Sequence, residues 1–373
     1  MSDAEFLFVV CQRGAESALK RELACTWPQF RLAFSRPGFV TFKLPVDHGL
    51  SPDFALRSVF ARSYGFSMGR CTGSYAELMA DQLWQQAGRR AGQQAWDHLH
   101  VWQRDTAVPG DRDFEPGIST LARQIGRIVA DRRPPSVAPQ RVFPVNLVAR
   151  PGQHILDCVL VEPGQWWIGS HQASDMPSRW PGGTPKIDMP DDAVSRAYLK
   201  MTEALLWSRL PVAAGDRCVE LGSSPGGSCQ ALLDRGLIVT GIDPADMSPV
   251  VLQHPNFTHI KARGADLKRR EFSRVKWLVA DANVAPNHTL DTVEHIVTHR
   301  QVDIQGILMT LKLIDWHLAD RIPEYLQRVR RWGYPLVRAR QLAFNRQEFT
   351  VVALRRRPRP SRRFATKRRL TST

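Results

Sequence analysis

Two lysines and two acidic residues lie at matching points of one strand-and-helix pattern: Lys200, Asp281, Lys312 and Glu348. A lysine taken out of water is costly unless a carboxylate pairs with it or its amine is needed without a proton. Two lysines and two carboxylates around one site could therefore remove a proton from a substrate. Their spacing predicts an acid–base site in the second half of the chain.

A glycine turn lies between the first two of these residues, in the sequence Val-Glu-Leu-Gly-Ser-Ser-Pro-Gly-Gly over residues 219–227. Gly222 closes a strand tightly, while Gly226 and Gly227 let the backbone approach a ligand where the next helix begins. The turn is neither a nicotinamide fingerprint nor a phosphate loop, which ends in Gly-Lys-Ser/Thr. A methionine carboxylate fits this turn without either motif.

Two acids follow the glycine turn at the ends of successive predicted strands. Asp243 lies about twenty residues on, where an acid accepts hydrogen bonds from ribose hydroxyls. Asp266 follows the third strand and is placed to accept from an adenine amino group. A glycine turn with acids at both positions predicts a nucleoside-binding site.

The elements that position these residues alternate between strand and helix. This alternation predicts a mostly parallel sheet covered on both faces. A leading helix over 192–207 carries Lys200, and later helices are predicted over 291–300 and 316–332. A short turn around Asn345 predicts an antiparallel last strand, an arrangement that resembles S-adenosylmethionine-dependent methyltransferases. The seven predicted strands cover residues 217–221, 238–242, 258–260, 277–280, 306–311, 336–342 and 349–354.

The first half of the chain has an α+β pattern. Its Pro- and Gly-rich end, 173–190, is predicted to be a linker, because residues 178–186 cannot sustain a helix or a central strand. The predicted strands are 6–10, a hairpin over 31–44, 142–148, 155–161 and a strand at 166–168. The predicted helices are 15–27, a Gln- and Ala-rich helix over 76–96, and 118–132, which carries several arginines.

The charge of the chain favours a polyanionic partner. The formal net charge is +15 at a sequence pI of about 10.1, and nine basic residues lie after residue 354 with no acid among them. We therefore expect residues 358–373 to form a basic tail. A solvated chain end explains that tail equally well unless the folded body also binds RNA.

The six cysteines are scattered without a Cys-x-x-Cys pair, so neither a zinc motif nor a disulfide framework is visible. The first residues include Asp3 and Glu5 before a short apolar run, unlike a secretory peptide. No run approaches membrane-spanning length. We expect a cytoplasmic protein with no metal site and no membrane contact.

The motifs together resemble those of the FtsJ-type ribose 2′-O-methyltransferases. The matching segments are Ser195 to Lys200, the turn from Leu221 to Gly227, Asp281, Leu311-Lys312 and the segment that begins Gln347-Glu348. The first half and the linker resemble the RlmM family of 23S rRNA cytidine 2′-O-methyltransferases more narrowly. In that family a THUMP-containing RNA-binding region precedes the FtsJ-like domain.

The resemblance implies a fold, a cofactor and a set of site residues. The implied fold is α/β: a seven-stranded Rossmann-like S-adenosylmethionine methyltransferase domain preceded by an α+β THUMP-containing RNA-binding region. The implied divisions are an RNA-binding region over 1–172, a linker over 173–190, an FtsJ-like domain over 191–357 and the tail. The implied catalytic tetrad is Lys200, Asp281, Lys312 and Glu348. The implied S-adenosyl-L-methionine-binding residues are Ser195, Gly222, Ser224, Pro225, Gly226, Gly227, Asp243, Asp266 and Asp281.

The chemistry suggests a role for each tetrad member. Lysine is a poor base at its free pKa of ~10.4, and both desolvation and a second ammonium lower that value. Lys312 is assigned as the base and Lys200 as the neighbour that perturbs it and positions the hydroxyl. Asp281 and Glu348 are assigned as orienting groups.

Several alternatives stay open or are disfavoured. Amino-group methyltransferases carry Asn/Asp-Pro-Pro-aromatic after strand four, whereas this chain has Asp281-Ala-Asn-Val, and no Pro-Cys of a carbon-5 cytosine enzyme occurs. A methyltransferase of tRNA or of the mRNA cap, and a non-catalytic ribosome-assembly factor, remain rivals. The sequence departs from the family in Ser223-Ser224 and in the residues after Asp281, which affects the target nucleotide more than the reaction.

The expected partner is RNA, either 23S rRNA or a large-subunit precursor, and not DNA. A monomer is expected. Aromatic residues of the first half and the linker could stack on RNA bases or pack in the core, and both readings stay open. They are Trp102, Trp166, Trp167 and Trp180.

Overall fold

The computed structural model describes residues 4–91, 96–136, 143–174, 176–267 and 269–355. The predicted basic tail over 358–373 lies outside the described residues. So do residues 92–95 of the predicted Gln- and Ala-rich helix and residue 142 of a predicted strand.

The first half is built on a seven-stranded sheet with the order β2-β3-β1-β4-β7-β6-β5. All of its neighbouring strands are antiparallel except β5 and β6. The strands are β1 (Phe6–Val10), β2 (Arg31–Arg36), β3 (Phe39–Lys43), β4 (Ser63–Thr72), β5 (His98–Gln103), β6 (His154–Glu162) and β7 (Gln165–Gln172).

Helices α1 (Glu16–Thr26), α2 (Ala76–Ala91) and α3 (Thr120–Asp131) bury apolar residues against this sheet. Helix α3 begins where the Ser119 hydroxyl accepts a hydrogen bond from the Ala122 N–H, an ordinary N-cap. Its inward residues Ile125 and Val129 have the spacing predicted from the sequence.

Two strands of this sheet were missed, and one predicted strand is wrong. The sequence did not predict β4 or β5. Residues 143–148 form only a single bridge, between Val145 and Leu99. The chain turns away because Asn146 has φ 53° and its side chain, not its backbone, accepts the hydrogen bond from the Val101 N–H at 2.7 Å.

The predicted linker is more ordered than its composition suggests. A one-turn helix, α4 (Met176–Arg179), is followed by a 3-10 turn at Pro181–Gly183. Trp180 is 4% exposed, and the carbonyl of Gly182 accepts from the buried Arg62 side chain at 3.1 Å. The prediction that this segment sustains no helix was wrong for that single turn, which packing against the first half stabilises.

The second half forms a second seven-stranded sheet with the order β10-β9-β8-β11-β12-β14-β13. Its strands are parallel except β14, which runs antiparallel to both of its neighbours, as predicted. The strands are β8 (Arg217–Leu221), β9 (Ile238–Ile242), β10 (Phe257–Ile260), β11 (Trp277–Ala280), β12 (Gly306–Lys312), β13 (Leu336–Arg340) and β14 (Glu348–Leu354). This is a Rossmann-like, mostly parallel sheet with one antiparallel strand.

The helices of the second half are α5 (Ala197–Ser208), α6 (Gly227–Leu233), α7 (Pro249–Leu252), α8 (Pro286–Val297) and α9 (Ile322–Arg331). Helix α8 begins five residues before its predicted start, at a proline whose fixed φ suits a first helical turn. The predicted helix over 316–332 is divided into a 3-10 segment, Trp316–Arg321, and α9, which restarts at a second proline. Among the described residues no helix is long and apolar enough to span a membrane.

The two halves pack directly against each other. One apolar cluster contains residues of both, and Arg21 of α1 pairs with Asp320 at 2.8 Å. Arg62 and Asp105 form a buried two-point ion pair, at 2.6 and 2.9 Å, on the first-half side. Arg340 of β13 donates to the Arg62 carbonyl at 2.5 Å. These contacts hold the first half beside the strand ends of the second sheet.

Candidate active site

The four predicted tetrad residues meet in one closed ring of ion pairs. Lys200 Nζ lies 2.6 Å from Asp281 Oδ2 and 3.2 Å from Glu348 Oε1. Lys312 Nζ lies 3.1 Å from Asp281 Oδ1 and also contacts Glu348 Oε2. Each ammonium therefore touches both carboxylates, and each carboxylate touches both ammonium groups.

The fold explains why these residues converge. Lys312 ends β12 and Glu348 begins β14, and the two are direct partners in the antiparallel register. Asp281 follows β11, the parallel neighbour of β12. Lys200 reaches the same edge from α5, the helix that leads into the sheet. Positions far apart in sequence thus share one edge because neighbouring strands end there.

The ring is largely withdrawn from water, and its charges shift the ionisation of its members. The Glu348 side chain is 5% exposed and those of Lys200 and Lys312 are 14% and 18% exposed. Burial alone would raise the pKa of Glu348, but the two ammonium groups lower that pKa to about 2. Burial alone would lower the pKa of Lys200, but Asp281 and Glu348 outweigh it and hold that pKa above its ordinary value.

The sequence argument for a lowered lysine pKa was made for Lys312, with Lys200 as the neighbouring ammonium. It considered desolvation and the second ammonium, and both effects are present. It did not count two carboxylates at hydrogen-bond distance, which favour the charged amine more strongly. Lys200 is an ammonium group in this ring at neutral pH.

Asn345 is a site residue that sequence reasoning noted only as a turn. It is fully buried, and its Nδ2 donates to Glu348 Oε1 at 3.1 Å. Its Oδ1 accepts from the Leu342 N–H at 2.8 Å, which fixes the direction of the amide. The close spacing of Asn345 and Glu348 in the sequence, within one predicted turn, was the signal that could have revealed this role. Asn345 orients one carboxylate of the ring.

The glycine turn passes close to the start of α5 and to Asp281. Gly222 has φ +77°, and a Cβ there would lie 2.8 Å from the Asp281 carbonyl oxygen. A Cβ on Gly227 would lie 2.3 Å from Ser195 Oγ, so only glycine allows this approach. The Ser224 N–H donates to Asp243 Oδ2 at 3.2 Å.

The acids predicted to bind a nucleoside share the edge where the parallel strands end. Asp243 directly follows β9 and already accepts from the Ser224 and Ala245 N–H groups, the latter at 2.8 Å. Asp266 is exposed in a 3-10 turn after β10. Asp281 follows β11. Carboxylates that retain free lone pairs beside a glycine turn fit a ligand with hydroxyl and amino groups.

Two further buried glutamates lie in elements that carry the site, and the sequence pattern did not indicate either of them. Glu203 of α5 accepts from the Ala343 and Phe344 N–H groups at 2.8 and 3.0 Å, and burial raises its pKa to about 7. Glu220 of β8 accepts from the Cys229 thiol at 2.8 Å, and burial raises its pKa to about 7 as well. Isolated acids within apolar elements carry no sequence pattern that reveals such roles.

Most of the aromatic residues considered for base stacking are core residues. Trp102, Trp166 and Trp180 are 2%, 5% and 4% exposed, so the core-packing alternative is correct for these three. Trp167 is partly buried, stacks on Phe34 at a centroid distance of 5.4 Å and donates from Nε1 to Ser67.

Residues 193–319 match the family model for FtsJ-like methyltransferases. A ribosomal RNA large subunit methyltransferase M from Halorhodospira halophila (strain DSM 244 / SL1) is 32% identical over 183 residues, 47% of this chain and 51% of that protein. The protein of the same name from Xylella fastidiosa (strain M12) is 28% identical over 251 residues, 65% of each.

The chain spans about half the length of the first curated relatives it matches, 51% and 53%. Among solved structures, the fibrillarin pre-rRNA processing protein of Methanococcus jannaschii matches 39% of this chain and 68% of that chain. It is 14% identical with a TM-score of 0.32, and a likeness of this size carries no conclusion about the site.

Proposed function

We propose, from the match of residues 193–319 to the FtsJ-like methyltransferase model and from the curated relatives, that this chain is an FtsJ-like, S-adenosylmethionine-dependent RNA ribose 2′-O-methyltransferase. Its proposed target is a cytidine of large-subunit (23S) rRNA. The closed ring of Lys200, Asp281, Lys312 and Glu348 carries the proposal. The names of the curated relatives favour rRNA as the substrate class.

S-adenosylmethionine supplies an electrophilic sulfonium methyl group when it is bound. We assign its binding to the turn Gly222 to Gly227, to Ser195 and to the acids at the strand ends. Asp243 is the acceptor for ribose hydroxyls, Asp266 the acceptor for an adenine amino group, and Asp281 faces the methyl-bearing end. The close approach of Gly227 to Ser195 and the free lone pairs of the acids support this assignment.

The protein must remove the proton of a ribose 2′-hydroxyl as the new bond to carbon forms. Lys312 is the proposed acceptor, at Nζ, and Lys200 positions the hydroxyl. When Lys312 gives up its own proton to solvent, Lys200 still contacts both carboxylates, at 2.6 and 3.2 Å. The two carboxylates therefore keep a cationic partner, which reduces the cost of forming the free amine.

After the transfer the proton on Lys312 restores the neutral ring of two ammonium groups and two carboxylates. Asp281 and Glu348 hold the amine of Lys312 in place throughout, and Asn345 holds Glu348. An amine oriented beside its substrate contributes as a general base, which is typically worth 10²–10⁴ in rate.

The first half, residues 1–172, is the proposed THUMP-containing RNA-binding region. The outward face of α3 supports it, because Arg123 and Arg127 are exposed there. Residues 173–190 are the proposed linker, 191–357 the methyltransferase domain and 358–373 a basic tail that adds phosphate contacts. The proposed setting is the cytoplasm, with a monomeric protein that acts on RNA and not on DNA.

The test is ribose-methylation mapping on RNA treated with the purified protein and S-adenosylmethionine. The substrates are rRNA from cells that lack this protein, tRNA and capped mRNA, and Asp281→Asn serves as the inactive control. A new 2′-O-methylcytidine in the large-subunit rRNA alone is the expected result. Methylation of tRNA or of the cap would identify one of the rival substrates. RNA binding without methylation of any of them would favour the non-catalytic assembly factor.

A further inference from the structure

A second group of ionisable residues lies in the first sheet, away from the tetrad. His100 of β5, Asp157 of β6 and His171 of β7 are all buried. One possible ligand atom from each lies within 4.8 Å of the others. His100 is the direct strand partner of Asp157, and His171 lies two residues from the partner of Asp157 on β7. The three therefore share one face of the sheet because side chains alternate with a period of two.

Backbone carbonyls determine which nitrogen of each imidazole carries hydrogen. His100 Nε2 lies 3.0 Å from the Leu147 carbonyl oxygen, and His171 Nε2 lies 2.8 Å from the Ser178 carbonyl oxygen. A carbonyl only accepts, so both Nε2 atoms donate. A neutral ring then has its lone pair on Nδ1.

The Nδ1 atoms are then the two nitrogens available to interact with the carboxylate of Asp157. His171 Nδ1 lies 2.5 Å from Asp157 Oδ2. Two atoms that both present lone pairs repel at this distance, so a proton lies between them in this structure. The shared proton explains that one contact. It leaves His100 Nδ1 and Asp157 Oδ1, which have no hydrogen-bond partner among the described residues.

We propose that His100, Asp157 and His171 form a binding site for a divalent transition-metal ion of the Zn²⁺ type. A metal ion that displaces the shared proton would engage all three groups, whereas the proton engages only two and leaves His100 Nδ1 and Asp157 Oδ1 without a hydrogen-bond partner among the described residues. Two imidazoles and one carboxylate form a ligand set that suits zinc. Each imidazole also donates its remaining N–H to a backbone carbonyl, as metal-bound histidines in proteins do.

The site would connect three strands of the first sheet to the linker. The Ser178 carbonyl that orients His171 belongs to α4. A small cavity of about 30 Å³ is lined in part by His171 and Ser178 and has room for one water. The ion would therefore stabilise the linker beside the methyltransferase sheet. The proposal is independent of the methyl-transfer reaction.

The first experiment measures metal in the untagged full-length protein by plasma mass spectrometry, followed by removal with a chelator and titration with Zn²⁺ or Co²⁺. We expect about one Zn²⁺ per chain, a thermal midpoint that falls on chelation and returns with Zn²⁺, and the visible absorption of tetrahedral Co²⁺. A protein that contains no metal and gives only the octahedral Co²⁺ spectrum would overturn the proposal, with no variant needed.

Two variants locate the site. Asp157→Asn keeps the size of the side chain but removes its charge, and it should weaken Zn²⁺ binding by at least ~100-fold, the upper range for loss of a supporting group. His154→Asn removes a histidine of the same strand outside the cluster and should leave binding unchanged. Equal Zn²⁺ affinity of wild type and Asp157→Asn would overturn the assignment. If Asp157→Asn does not fold, His100→Asn replaces it under the same criterion.

Discussion

Replacing Glu348 with glutamine should destabilise the methyltransferase half by about 3 kcal/mol at neutral pH. Burial opposes ionisation of Glu348, yet the ammonium groups of Lys200 and Lys312 lower its pKa from 4.5 to about 2. At ~1.36 kcal/mol for each unit by which folding lowers the pKa, this difference corresponds to about 3 kcal/mol in favour of the native state. The side chain is 5% exposed, so water screens these contacts little.

The pH dependence of this penalty has a definite sign. A carboxyl whose pKa is lowered by folding stabilises the native state above its unfolded pKa, and it loses that contribution as the pH falls toward the folded value. The penalty of Glu348→Gln should therefore be constant from pH ~6 upward. It should shrink between pH 4.5 and about 2, where the wild-type carboxylate takes up its proton.

Urea unfolding monitored by circular dichroism measures the penalty as a lower midpoint at constant slope. Glu203→Gln is the matched control, because Glu203 is a buried glutamate whose pKa is raised to about 7. The stabilisation from the protonated Glu203 is fully present below pH 4.5 and is lost as the pH rises through about 7. The free energy of unfolding of Glu203→Gln relative to wild type should therefore increase over that range. The same pH dependence in both variants, or a Glu348→Gln penalty that grows in acid, would refute the reasoning.

Lys312→Ala should lower the methyl-transfer rate by roughly 10²–10⁴ with cofactor affinity nearly intact, and Lys312→Arg should be almost as inactive because arginine does not lose its proton near neutral pH. An active Lys312→Arg enzyme with an unchanged pH–rate profile would exclude the base role and make Asp281 the next candidate. Asp243→Ala should weaken S-adenosylmethionine binding by roughly 1.5–3 kcal/mol in calorimetry, and unchanged affinity would move the cofactor elsewhere. Deleting residues 358–373 removes six basic residues, so the salt dependence of RNA binding should flatten while the modified nucleotide stays the same; a changed nucleotide would show that the tail reads sequence.

Local sequence patterns were enough to predict the strands of the second sheet and the residues that meet at its edge. Strands β8, β9 and β11 have the predicted bounds, and the antiparallel β14 is confirmed. Buried parallel strands are continuous apolar runs separated by glycine turns and amphipathic helices, so their order in the chain is informative. Because parallel strands end at a common edge, polar residues at those ends had to lie together.

How the charges of that edge interact depends on three-dimensional packing, which no local pattern predicts. The sequence indicated two lysines and two acids, but not that each lysine contacts both acids and that Lys200 is thereby held charged. Whether such contacts form depends on differences of a few tenths of an ångström in side-chain position. Asn345 likewise gained its role only when its amide was found against Glu348.

The first half shows the opposite balance between sequence and structure. Strands β4 and β5 were missed, and the predicted strand after residue 142 was wrong. Strand β4 pairs with β7 about a hundred residues further along the chain, and β5 pairs in parallel with β6 more than fifty residues on. Local periodicity carries no information about such partners, and a side chain such as Asn146 can replace a backbone hydrogen bond. His100, Asp157 and His171 have no motif spacing in the sequence. They meet only because strand register aligns β5, β6 and β7, which the chain determines through packing and not through any local pattern.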